Sequence, residues 1–176
     1  MLGHGAGGGP GAPDLVAATE VARAAGVTVA LVEQPYRVAG RRSPAPAGQL
    51  DAAWVAVAGQ LRAGALDGLP LIAGGRSSGA RVACRTAAET RAIAVLCLAF
   101  PLHAPGRPDK TRLGELEAVA VPVLIVQGES DPFGMPPRGP QREVVRLRGN
   151  HALRSDAAGL REAVRSWLER SLSTTA

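Results

Sequence analysis

Four nearly unbroken apolar runs, separated by helix-forming stretches, constrain this chain more than any other feature. They are Val27–Glu33 (VTVALVE), Leu69–Ala73 (LPLIA), Ile93–Phe100 (IAVLCLAF) and Val121–Val126 (VPVLIV). A strand that faces water on one side alternates apolar and polar residues. A continuous apolar run needs cover on both faces, as in a parallel sheet with a helical layer on each side. A fifth run, Glu143–Arg148 (EVVRLR), mixes charge into the pattern, which suits a sheet edge.

Helical segments fill the intervals. Pro13–Ala25 starts on proline and stops at Gly26. Leu50–Ala63 carries Leu50, Trp54, Val57 and Leu61 on one stripe. Ser78–Glu89 follows a Gly- and Ser-rich turn, and residues 112–119 are short enough for one or two turns. Ala157–Leu172 sets Leu160, Val164, Trp167 and Leu168 on one face, with Ser155 or Asp156 as its N-cap. This alternation predicts an α/β fold with a mostly parallel sheet. The 176 residues suffice for one domain with a sizeable core, and no repeat or linker divides them. Aromatic residues make up only 3%, so that core is built from Ala, Val and Leu.

Composition removes several function classes. The net charge of +5 comes from arginines scattered along the chain, with Lys110 the only lysine. A nucleic-acid footprint would be clustered, so no nucleic-acid partner is expected. Cys84 and Cys97 lie inside apolar elements and read as small buried hydrophobes, not as a disulfide framework or metal site. No run reaches membrane-spanning length and no signal pattern opens the chain, so a cytoplasmic enzyme or binding module is the default expectation.

The segment between the second run and the helix after it carries the chemistry. Gly75-Arg76-Ser77-Ser78-Gly79 fits G-x-S-x-G with a strand before and a helix after, the context of a nucleophile elbow. A hydroxyl needs a base to take its proton, and the chain has three histidines, His4, His103 and His151. His151 directly follows the last strand, and Asp131 directly follows the strand before it. The order Ser77, Asp131, His151 is that of an α/β-hydrolase triad, and differs from the orders in chymotrypsin and subtilisin.

Acyl transfer also needs oxyanion donors. The backbone N–H of Ser78 is one candidate. The Gly-rich stretch Gly3–Gly9 (GHGAGGG) offers the other, Ala6 first and Gly7 next, with His4 ordering the loop. The same stretch also fits G-x-G-x-x-G, with Glu33 at the end of the next strand, so a dinucleotide-binding reading competes.

Six segments together resemble a known group: HGAGGG, EQPYRVAGRRSPAPAGQLDAAW, GGRSSGARVACRTA, FPLHAPGRPDKTR, VPVLIVQGESDPFG and GNHAL. They are similar to small bacterial members of the α/β-hydrolase superfamily. Within it they resemble the nonspecific-lethal-complex-subunit-three and testis-expressed-protein-thirty hydrolase-like family, near the dienelactone hydrolases. The resemblance covers nearly the whole chain. It implies Ser77 as nucleophile, Asp131 as acid and His151 as base, a small-molecule acyl substrate, and no metal or organic cofactor. Some eukaryotic relatives serve as complex subunits, so an inactive hydrolase-fold interaction module is the alternative.

One departure stands out. In the family a central strand precedes HGAGG, whereas only Met1 and Leu2 do so here. Losing that strand would orphan two rows of interior backbone groups. The expectation is that the natural chain begins upstream or that this one is truncated. The stretch after Ile93–Phe100 is too short for a cap domain, which predicts a shallow, open site. Phe133 and Met135 are candidates to line it. Arg76, Arg37, Arg41 and Arg42 either draw an anionic substrate or, on the preferred reading, form a solvated loop with one structural ion pair. Asp109, Lys110 and Arg112 are read as surface residues.

Overall fold

A computed structural model describes residues 1–173. The elements run β1 (Leu2–Gly3), α1 (Pro13–Ala24), β2 (Leu31–Val32), α2 (Pro35–Val38), α3 (Ala47–Arg62), β3 (Leu71–Arg76) and α4 (Ser78–Arg85). They continue β4 (Ala92–Leu98), α5 (Leu113–Glu117), β5 (Val123–Gly128), β6 (Arg142–Leu147) and α6 (Ala157–Ser173). The six strands form one sheet in the order β2-β1-β3-β4-β5-β6, and every neighbouring pair is parallel.

Both faces of the sheet are covered, as the continuous apolar runs require. Val95 and Cys97 of β4 and Ile125 of β5 point into one core with Trp54 and Leu50 of α3 and Val82 of α4. Their chain neighbours Leu96, Leu98, Leu124 and Val126 point into the other, against Leu15 of α1 and Leu160, Val164 and Trp167 of α6. This two-residue alternation is the strand period acting with apolar residues at every position. Charged Arg146 is exposed on edge strand β6.

Several boundaries differ from the sequence expectation. The place where the missing strand was expected is held by Leu2–Gly3, which pairs with Leu31–Val32 on one side and Gly74–Gly75 on the other. The predicted strand Val27–Glu33 keeps ladder pairing only at Leu31–Val32, opposite Leu2–Gly3. The second run starts late and ends late. Leu69 is 51% exposed, whereas the small residues Gly74 and Gly75 and then Arg76 continue the ladder opposite Leu96, Cys97 and Leu98. Helix α4 stops at Arg85 instead of Glu89. There Thr86 Oγ1 donates to the Val82 carbonyl at 2.7 Å and Thr90 Oγ1 to the Thr86 carbonyl at 2.8 Å, bonds that compete with a helical ladder. One turn of helix, α2, opens on Pro35 in what reads as loop. Asp156 caps α6, its Oδ1 accepting the Gly159 N–H at 2.9 Å. Cys84 and Cys97 are buried and free, their sulfurs 3.5 Å apart. Among the described residues no helix is long and apolar enough to cross a membrane.

Candidate active site

Ser77 sits between the end of β3 and the start of α4 with φ 51° and ψ −108°. This is a region that L-residues with a Cβ avoid, and it persists only where the surroundings hold it. The Ser77 N–H donates to the Leu98 carbonyl at 2.9 Å, fixing the turn to β4. The flanking glycines supply the close approach. A Cβ on Gly75 or on Gly79 would run into the Gly3 carbonyl oxygen, so strand, turn and helix fit against β1 only without side chains there.

Asp131 follows β5 and His151 follows β6. His151 Nε2 lies 2.9 Å from Ser77 Oγ, and His151 Nδ1 lies 2.8 Å from Asp131 Oδ2. A carboxylate only accepts, so Nδ1 carries the proton; in the neutral ring Nε2 is then free to accept from the serine hydroxyl. The Asp131 side chain is 1% exposed and the His151 side chain 16%. Phe133 lies against the imidazole with ring centroids 4.2 Å apart.

Asp131 is held by more than the histidine. Its Oδ1 accepts the Phe133 N–H at 2.9 Å, and its Oδ2 accepts from Gln127 Nε2 at 2.8 Å. Gln127 is fully buried on β5, and the same nitrogen is 3.1 Å from the Phe100 carbonyl and 2.9 Å from the Gly134 carbonyl. The only sequence signal for this role is one polar residue in an otherwise apolar strand.

The Gly-rich loop after β1 is fastened from two sides. His4 is fully buried, its Nδ1 donating to the Gly5 carbonyl at 2.8 Å and its Nε2 accepting the Gln34 N–H at 2.9 Å. The Tyr36 hydroxyl donates to the Ala6 carbonyl at 2.9 Å. A cavity of about 240 Å³ opens beside Ser77, and Ala6, Ser78, Leu50 and Phe133 are in its wall. Among the described residues the N–H groups of Ala6 and Ser78 have no acceptor. A larger depression of about 780 Å³ lies at the opposite rim, between Pro122 and α6, and holds none of Ser77, Asp131 and His151.

Other candidates fall elsewhere. Arg76 does not line the cavity: its Nε pairs with buried Asp14 at 2.8 Å and its Nη2 donates to the His151 carbonyl at 3.1 Å, so its guanidinium ties the histidine loop to α1. Gly7 is exposed outside the cavity wall, and Met135 packs against the core on the α3–α4 side. Arg41 and Arg42 are exposed on their loop, and neither they nor Arg37 reaches the cavity. Arg112, read as a surface residue, is half-buried and does line it. The connection from β4 to α5 is loop, with no helix to form a lid. Among the described residues no group of three or more His, Cys, Asp or Glu is placed to hold a metal.

The dinucleotide reading finds no support in this geometry. A dinucleotide fold opens its helix at the glycines and turns the helix N-terminus to the pyrophosphate. Here α1 begins only at Pro13, a residue without an N–H, and His4 is sealed beneath the loop.

Residues 1–154 match the profile described as an alpha/beta hydrolase domain. The chain belongs to that family. Solved structures give the same fold at low identity. A lidless α/β serine hydrolase from Xanthomonas campestris is 22% identical with a TM-score of 0.76, covering 96% of this chain and 80% of its own. Est1E from Butyrivibrio proteoclasticus, solved with ferulic acid bound, is 18% identical with a TM-score of 0.79, covering 98% and 88%. An α/β serine hydrolase homologue from Coxiella burnetii is 17% identical with a TM-score of 0.72, covering 96% and 85%. No curated protein matches the chain in sequence. The hydrolase fold without a lid is thus the one the alternating apolar runs and the short connection after β4 predict.

Proposed function

We propose that this protein is a serine hydrolase that cleaves an ester or related acyl bond through Ser77, His151 and Asp131. The observation that carries the proposal is the hydrogen-bond chain Ser77–His151–Asp131, at 2.9 and 2.8 Å, assembled from three separate strand ends. His151 Nε2 takes the Ser77 proton as Oγ attacks the substrate carbonyl. Asp131 keeps the ring in the required tautomer and stabilises the imidazolium. The N–H groups of Ala6 and Ser78 receive the oxyanion. The imidazolium then protonates the leaving group, and water attacks the acyl-enzyme by the same route in reverse. No step calls on a metal or organic cofactor.

The cavity is smaller than the roughly 300 Å³ at which ordinary ligand pockets begin, so the acyl group is short. A small-molecule substrate also agrees with the ferulic acid seen in Est1E. The six quoted segments support placement in the nonspecific-lethal-complex-subunit-three and testis-expressed-protein-thirty group. The test is a fluorophosphonate probe. Wild type labels and Ser77→Ala does not; a folded wild type that fails to label is the interaction module instead.

A further inference from the structure

The wall of the cavity beside Ser77 carries three arginines that the mechanism does not use: Arg81, Arg85 and Arg112. Two of them are neutralised. Arg81 grips Glu115 through Nε at 2.9 Å and Nη2 at 2.5 Å, and Arg85 grips Asp51 through Nε at 2.8 Å and Nη2 at 2.6 Å. Arg85 Nη1 also reaches both Glu115 oxygens at 3.4 Å. Both carboxylates are therefore already engaged, and neither is in the cavity wall.

Arg112 stands apart. Its Nη1 donates to the Pro101 carbonyl at 2.8 Å, and among the described residues no carboxylate lies within ion-pair distance of it. Burial, then the charge of Arg81, lowers its pKa, with Glu115 offsetting part of that. A guanidinium has five donors in a planar fork, so most of those on Arg112 remain for a ligand. The cavity thus presents one cation without an ion-pair partner among the described residues, within a wall that also contains the candidate nucleophile and both candidate oxyanion donors.

The side of the site is set by His151. The leaving group must depart beside the imidazole that protonates it, and His151 is not in the wall of this cavity. The cavity therefore receives the acyl chain. Its volume of about 240 Å³ lies below the roughly 300 Å³ at which ordinary ligand pockets begin, which suits a short chain such as a glutaryl unit.

We propose that Arg112 is a specificity-determining residue that selects short acyl groups ending in a carboxylate. The proposal rests on the serine-hydrolase reading and names its substrate class. The test compares mono-p-nitrophenyl glutarate with p-nitrophenyl valerate, matched in chain length, on wild type, Arg112→Met and Arg112→Lys. Wild type favours the glutarate in kcat/KM by roughly 10- to 100-fold, the worth of one charge-assisted hydrogen-bonded contact. Arg112→Met brings the ratio near 1, and Arg112→Lys retains part of it. A residue that merely braces the Pro101 loop lowers both rates together and leaves the ratio unchanged. A wild type that hydrolyses valerate as readily as glutarate overturns the proposal and leaves the hydrolase reading standing. If neither ester is cleaved and the fluorophosphonate does not label, the hydrolase reading fails. The cavity is then judged on Ser77→Ala with free glutarate, where a rise in Tm absent from Ser77→Ala/Arg112→Met supports carboxylate binding and no rise overturns it.

Discussion

Gly79→Ala is the substitution that most directly tests how the elbow is built. A Cβ at Gly79 would fall on the Gly3 carbonyl oxygen, 2.5 Å from the Gly3 carbonyl carbon and 3.0 Å from the His4 carbonyl oxygen. All three are backbone atoms, so no side chain can swing aside. Ordinary contact begins near 3.4 Å, so α4 and β1 must separate by more than an ångström. Overpacking of this kind costs about 1–3 kcal/mol. Alanine is intrinsically the better helix former by about 1 kcal/mol, which offsets part of the cost. The balance is nonetheless destabilising because the clash is with backbone far inside contact distance, which puts the cost at the upper end of that range and leaves a net of about 2 kcal/mol.

The expected fall in Tm is about 4–8 °C, taking a net cost of about 2 kcal/mol and about 2–4 °C per kcal/mol for a chain this size. Activity falls further than stability. The same shift moves the Ser78 amide at the start of α4 against the Ala6 loop, and a misplacement near 1 Å costs on the order of 100-fold. Gly9→Ala is the matched control, since nothing lies within 4 Å of its Cβ. Thermal melts and p-nitrophenyl ester turnover read both variants. A Gly79→Ala protein that melts and turns over like Gly9→Ala refutes the close-packing account of the G-x-S-x-G glycines.

Two further outcomes follow from buried polar groups. Gln127→Leu removes the donor to Asp131 Oδ2, to the buried Phe100 carbonyl and to the half-buried Gly134 carbonyl, at a cost of about 1–3 kcal/mol in urea unfolding. It also lowers kcat roughly 10-fold by loosening the carboxylate that orients His151; a change in KM with kcat intact contradicts a positioning role. Burial raises the Asp14 pKa above its ordinary 3.8, and the charge of Arg76 only partly offsets this. Asp14 therefore takes up a proton more readily in the folded chain than in the unfolded one, so its contribution is greatest below pH 3.8 and declines as pH rises through the higher native value. The Tm of wild type relative to Asp14→Asn should fall as pH rises above 3.8, and a rise over that range reverses the assignment.

The candidate triad residues are legible because each stands at a strand end that the apolar pattern marks. VPVLIV places Asp131 and EVVRLR places His151, whatever the error in the strand limits. Side chains that act across the fold are not legible. Nothing near Gln127 in sequence announces Phe100, and nothing near Arg76 announces Asp14 or the His151 carbonyl, since these partners lie 27, 62 and 75 positions away. Arg112 is hidden for the same reason. A single arginine in a loop has no periodicity, and only the folded chain shows that Glu115 and Asp51 are already taken.

The short first strand and the fastened loop belong to one physical problem. A two-residue strand cannot by its ladder alone hold the loop that carries Ala6 in register with the elbow. The missing restraint is supplied by side chains: the His4 ring bridges the Gly5 carbonyl to the Gln34 N–H, and the Tyr36 hydroxyl holds the Ala6 carbonyl. Gln34 and Tyr36 flank Pro35, whose fixed φ starts α2. The helix turn that the loop pattern conceals is thus the anchor from which the candidate oxyanion donor is positioned. It also explains why β2 can be reduced to Leu31–Val32: the chain beyond it is tied to the Gly-rich loop by side-chain bonds instead of by strand pairing.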